Sequence, residues 1–143
     1  MDYNQAYSDA LNERMAWMKL DTDFMHDFKV RRLSASADPI ERYAAIGMYV
    51  SLIANMAAID GHIYDLSDEL GWQFIAADMG LDVETAKGFV SKAVSVGLFD
   101  AQLWEESRKL ASIRLLKEAD ETARNKAAAR VKAENMRKAK ERK

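Results

Sequence analysis

Cysteine is absent from the 143 residues. That excludes a disulfide framework, a thiolate metal site and a cysteine nucleophile, and it fits a reducing compartment. One proline and six glycines leave few breaks in the helical patterns. No run of about 18 apolar residues occurs, so no segment reads as a membrane span. The N-terminus is polar and opens on Asp2 rather than on a basic stretch, so it does not read as a signal peptide. These absences point to the cytoplasm, or to the host cytoplasm if the chain is phage-encoded. There is no Gly-rich phosphate loop, no Ser/His/Asp arrangement and no paired zinc ligands. The sequence therefore predicts no enzyme, no cofactor and no small-molecule substrate.

What is present is unevenly charged. Residues 1–110 carry 18 acidic and 10 basic side chains, a net −8, whereas residues 111–143 carry 5 and 11, a net +6. An acidic body with a basic appendage suggests a polyanionic partner.

The expected class is mainly α, a winged helix-turn-helix with a small β-hairpin wing and a long C-terminal basic helix. Residues 1–16 read as a short helix or lead-in with a stripe of Tyr3, Tyr7, Leu11 and Met15. Residues 17–115 read as the winged domain, and 116–143 as the basic tail. Trp17–Leu20 suggests a short strand, followed by a helix from Asp21 or Thr22 to Leu33 with Phe24 and Phe28 inward. Asp38 and Pro39 predict a helix start, and Tyr43, Ile46, Val50, Ile53 and Ala57 recur at three and four. Gly47 is expected to allow close helix packing. Asp60-Gly61 is a turn, and residues 62–65 have the length of one short strand.

Residues 66–99 carry the main signal. A helix starting near Ser67, with Leu70, Phe74 and Ile75 apolar, stops at Gly80. Asp82 then caps a second helix that ends before Gly97. Two helices joined by a three-residue, Gly-containing turn form the helix-turn-helix pattern. Leu98–Asp100 and Lys109–Ala111 read as the hairpin of the wing, and Ser112 as the cap of the last helix.

On the second helix Thr85, Lys87, Ser91 and Lys92 are the candidate DNA contacts, since Thr, Ser and Lys reach base edges or phosphates in the major groove. Arg108 and Lys109 are the wing candidates. That face is poor in cations, and specific DNA binders neutralise several phosphates. The tail supplies them: Arg124, Lys126, Arg130, Lys132, Arg137, Lys138, Lys140, Arg142 and Lys143. Asp21, Asp23, His26 and Asp27 resemble a metal cluster, but acids there also suit a helix start, and no spacing motif supports a metal. His62 stands alone. Trp17, Trp72 and Trp104 fall on apolar stripes and read as core.

The order of features resembles the winged-helix domains at the N-terminus of DnaD-like phage and prophage replisome organisers. The resemblance is carried by Trp17-Met18-Lys19-Leu20-Asp21-Thr22-Asp23, Lys29–Leu33, Ala45–Tyr49, Met79–Asp82 and Val96–Asp100. It implies DNA binding and self-association in replication initiation, with a helicase or helicase loader as partner. Two other functions remain open: a protein-interaction or oligomerisation module of a replication assembly, and a transcription regulator.

Overall fold

A computed structural model describes residues 2–142. Its helices are α1 (Tyr3–Leu11), α2 (Phe28–Leu33), α3 (Pro39–Ala58), α4 (Glu69–Met79), α5 (Val83–Ser95), α6 (Ala101–Ser107) and α7 (Ile113–Glu141). Two-residue strands β1 (Tyr64–Asp65) and β2 (Lys109–Leu110) complete it, with 3-10 turns at Phe24–His26 and Asp60–His62.

Each of the seven helices opens on a side-chain cap. Asp2, Asp27, Asp38, Asp68, Asp82 and Asp100 accept backbone N–H groups of the first turns of α1 to α6, and Ser112 does so for α7. A carboxylate there meets unpaired N–H groups and the positive end of the helix dipole. Six of the body's 18 acidic side chains therefore have a helix N-terminus as local partner.

The core is built by Leu52 and Met56 of α3, Ile75 of α4, Val90 and Ala93 of α5, Leu110 of β2 and Leu115 of α7, all buried. Tyr49 meets Phe24 edge-on at 5.7 Å and stacks on Phe99 at 6.3 Å. On the far side Trp72 meets Trp104 edge-on at 6.0 Å. Those two tryptophans are half-buried and buried as expected, but Trp17 is exposed.

The sheet differs from the expected hairpin. β2 pairs antiparallel with β1, with Tyr64 opposite Leu110 and Asp65 opposite Lys109. Residues 98–100 form a bend rather than a strand, joined to the sheet's end by the Asp100 N–H donating to Ala111 O at 2.9 Å. Between them runs α6, where Trp104 is buried and Asp100 caps the first turn through the Leu103 N–H. An aromatic anchor four residues past a cap favours a helical turn over a solvated loop.

Five other expectations are corrected. Trp17–Leu20 is extended without strand partners, because the Lys19 N–H donates to Glu118 of α7 at 2.6 Å. The helix expected from Asp21 is broken: Asp27 caps α2 instead, leaving Phe28 exposed. In α3 the buried residues are Tyr49, Leu52, Met56 and Ala57; of the expected stripe Ala57 is buried, Ile46, Val50 and Ile53 are half-buried against the core, and Tyr43 is exposed. In α4 Leu70 and Phe74 face outward while Ile75 is buried. Helices apolar on most sides do not reveal their buried face by period alone. Gly47 lies in the open, with nothing within 4 Å of where a Cβ would stand.

α1 packs along α7. Its buried residues are Ala6 and Ala10, and those on the corresponding length of α7 are Ala119, Ala123 and Ala127. Small side chains on both helices permit a short interaxial distance. Of the stripe Tyr3, Tyr7, Leu11 and Met15, Met15 is buried and Leu11 half-buried, while Tyr3 and Tyr7 stack on each other at the edge of this seam. Tyr7 donates its hydroxyl to Asp120 of α7, which holds the phenol above its ordinary range.

Candidate nucleic-acid interface

The α4–α5 connection is as expected from the sequence. Gly80 adopts a left-handed conformation at φ 68°, and its N–H reaches the last carbonyls of α4. The Leu81 N–H returns to Ala76 O at 2.9 Å, which closes the turn. Asp82 then accepts the Thr85 N–H at 2.7 Å and the Thr85 hydroxyl at 2.8 Å. These two donors hold the Asp82 carboxyl below its usual range.

Thr85 is thus part of the cap rather than a free contact. Lys87 leans back on α4: its Nζ is 3.2 Å from Glu69 Oε2 and 5.8 Å from the centre of the Trp72 ring. Ser91 and Lys92 are exposed, and the Ser95 hydroxyl donates to Lys92 O at 2.7 Å. Of the four recognition-helix candidates, Thr85, Ser91 and Lys92 are exposed and Lys87 is half-buried, and Thr85 is tied to Asp82.

The two wing candidates sit on the β1–β2 edge. Arg108 caps α6 in a left-handed conformation, φ 55°, with its guanidinium 5.1 Å over Trp104. Lys109 is exposed opposite Asp65. The hydroxyl and N–H of Ser67 lower the Asp65 carboxyl most, and the Lys109 charge adds to this.

The expected tail cations from Arg124 to Arg142 divide into three groups. Arg130 grips Glu13 with two bonds, Nη1–Oε1 at 2.7 Å and Nη2–Oε2 at 2.8 Å, and Lys126 lies 3.5 Å from the same carboxylate. Arg130 is the main reason the Glu13 carboxyl lies below its ordinary value. Arg124, Arg137 and Lys138 pair within the helix, with Asp120, Glu141 and Glu134. Lys132, Lys140 and Arg142 are exposed and have no ion pair among the described residues. Lys143 lies outside the described residues.

Of the acids considered for a metal, Asp21 and Asp27 serve the backbone, while the Asp23 side chain makes no cap bond. Asp21 accepts the Asp23 N–H at 2.9 Å, and Asp27 accepts the N–H groups of Lys29 and Val30. His62 is buried at a positive φ of 60°, its Nδ1 3.1 Å from Met56 O.

Sequence reasoning missed Arg31 and Arg42, which line one cleft with His26 and Tyr43. The available signal was local: Lys29, Arg31 and Arg32 fall within four residues, just before the helix that carries Arg42.

Residues 17–115 match the family described as Lin1244/Lin1753-like, N-terminal, and the chain belongs to that family. This corrects the DnaD-like resemblance, which rested on the same span: the motifs quoted for it belong to a different family. The matched span takes in α2 to β2 and only the first residues of α7, so α1 and most of the basic helix lie outside it. No curated protein and no solved structure matches the chain.

Proposed function

We propose that this member of the Lin1244/Lin1753-like N-terminal family is a non-enzymatic, DNA-binding protein with a winged-helix-type module. In this reading α3, β1, α4, α5 and β2 follow the helix–strand–helix–turn–helix–strand order of such modules, and α6 stands in place of the wing's hairpin tip. α5 presents Ser91 and Lys92 to the duplex, and the end of α7 tracks the phosphates.

The observation that carries this reading is how the cations are distributed. Lys132, Lys140 and Arg142 lie beyond the last buried residue of α7, Ala127, and pair with no carboxylate among the described residues. Cations left without partners on a helix end suit phosphates, whose counterions they displace. The aspartate caps soften the main objection, the acidic body, because their charge faces helix N-termini.

The test is duplex affinity across a salt series for the full chain and for Lys132→Glu/Lys140→Glu/Arg142→Glu. Loss of three phosphate contacts lowers the slope of log K against log salt by about 0.9 per contact. Lys92→Glu should weaken binding further. An unchanged slope, or no duplex binding at low salt, overturns the reading.

A second reading, self-association, is favoured by Leu70 and Phe74, adjacent on one face of α4 and both exposed. Sedimentation of the full chain and of Phe74→Glu decides it, since a monomer in both leaves that reading without support.

A further inference from the structure

One cleft away from α5 gathers cationic and aromatic side chains that the reading above does not use. It lies between the Phe24–His26 turn, the end of α2 and the first turns of α3, with a volume of about 650 Å³. Small-ligand sites occupy about 300–1,000 Å³. Arg31 comes from α2 and Arg42 from α3, with His26 from the preceding turn, Ser36 from the α2–α3 connection and Tyr43 also lining the cleft.

Neither guanidinium has a hydrogen bond or ion pair among the described residues. The carboxylates next to them in the chain have other partners, Glu41 at a residue that lines the cleft. Asp27 and Asp38 cap α2 and α3, and Glu41 accepts the Ser36 hydroxyl at 2.7 Å. Tyr43 is 68% exposed, unusual for an aromatic on a helix that supplies so much of the core. Two unengaged guanidinium forks suit the oxygens of a phosphate. An exposed ring beside them offers a stacking surface for a base.

We propose that this cleft binds one nucleotide unit of a single-stranded nucleic acid. Arg31 and Arg42 hold its phosphate, and the Tyr43 ring stacks on its base. This deepens the nucleic-acid reading and rests on it only in the nature of the ligand, since the site is separate from α5 and from the end of α7. A free nucleotide offers the same chemistry, so the experiment separates the two sources.

The full chain is titrated with a labelled short oligothymidylate, with thymidine monophosphate and with a labelled duplex. Wild type is compared with Arg31→Ala/Arg42→Ala, Tyr43→Ala and Tyr43→Phe, all at exposed positions, with circular dichroism confirming the fold. Arg31→Ala/Arg42→Ala and Tyr43→Ala should each lose about tenfold or more in single-strand affinity, Tyr43→Phe should keep it, and duplex binding should not change. Equal oligonucleotide binding by all four proteins overturns the site, as does no binding of oligonucleotide by wild type. Thymidine monophosphate binding as tightly as the oligonucleotide overturns the strand in favour of a free nucleotide. Arginine-dependent single-strand binding without duplex binding keeps the cleft and removes the duplex reading.

Discussion

Arg130 and Glu13, 117 positions apart, meet through two parallel hydrogen bonds at 2.7 and 2.8 Å. The pair fixes the middle of the long basic helix to the segment that follows α1. Alanines pack the same seam from within, and the Tyr7–Asp120 bond closes its other end. Part of what reads as a basic tail is therefore the partner of the N-terminal helix, which limits how much of its charge is free for another molecule.

The clamp gives α1 an acid-sensitive attachment. Glu13 is held below its ordinary value of 4.5 in the folded chain, first by Arg130. A depressed folded pKa gives stability that is present above 4.5 and lost as pH falls through the lower folded value. Amide protection in α1 should fall over that window in the wild type. In Glu13→Gln it should already be lower at neutral pH. Equal protection in both proteins at neutral pH would show that the clamp does not hold α1.

Truncation should have two outcomes depending on the cut. A chain ending at Val131 keeps Ala127, Lys126 and Arg130, so α1 stays docked and the melting temperature changes little. A chain ending at Ala123 loses all three and should release α1, seen as a lower melting temperature and fast exchange over Tyr3–Leu11. Identical protection of α1 in the two truncations counts against the seam.

Glycines separate sharply by what surrounds them. At Gly71 in α4 an added Cβ would stand 2.1 Å from the Asp65 carbonyl oxygen, a backbone atom with little room to give. Gly71→Ala should cost about 2–3 kcal/mol in denaturant unfolding and strain the approach of α4 to β1. Gly47 is helical with nothing within 4 Å, so Gly47→Ala should add about 0.5–1 kcal/mol. The reverse order would refute this account of the α4–β1 contact.

Alkaline pH probes the β1–α4 junction. Burial raises the Tyr64 phenol above its ordinary 10.0, and its hydrogen bond to Asp78 at 2.7 Å adds to this. A raised folded pKa means stability that is full below 10.0 and lost as pH climbs beyond it. The melting temperature of the wild type should drop over that range, and Tyr64→Phe should flatten the part due to this phenol. Burial likewise raises Tyr49, so some of the slope remains in the variant.

Ser112 links the sheet to the long helix. Its hydroxyl is buried and accepts the Leu115 N–H at 3.1 Å, so Ser112→Ala should cost about 1 kcal/mol by chemical denaturation. No measurable loss would mean that α7 starts without this cap.

The sequence by itself determined the helix boundaries at Asp38, Asp82 and Ser112, the Gly80 turn, the stop before Gly97 and the division of charge along the chain. Caps and left-handed glycines act over a few neighbouring residues, so local chemistry is enough to read them. Tertiary structure alone decided which segment β2 pairs with, since strands of two residues carry no period and β1 is some distance away in the chain. It decided the buried faces of α3 and α4, whose apolar residues surround most of the helix. It also decided which cations are free, because Arg130 and Lys126 have their partner at Glu13, while Arg31 and Arg42 line one cleft that exists only once α2 packs beside α3.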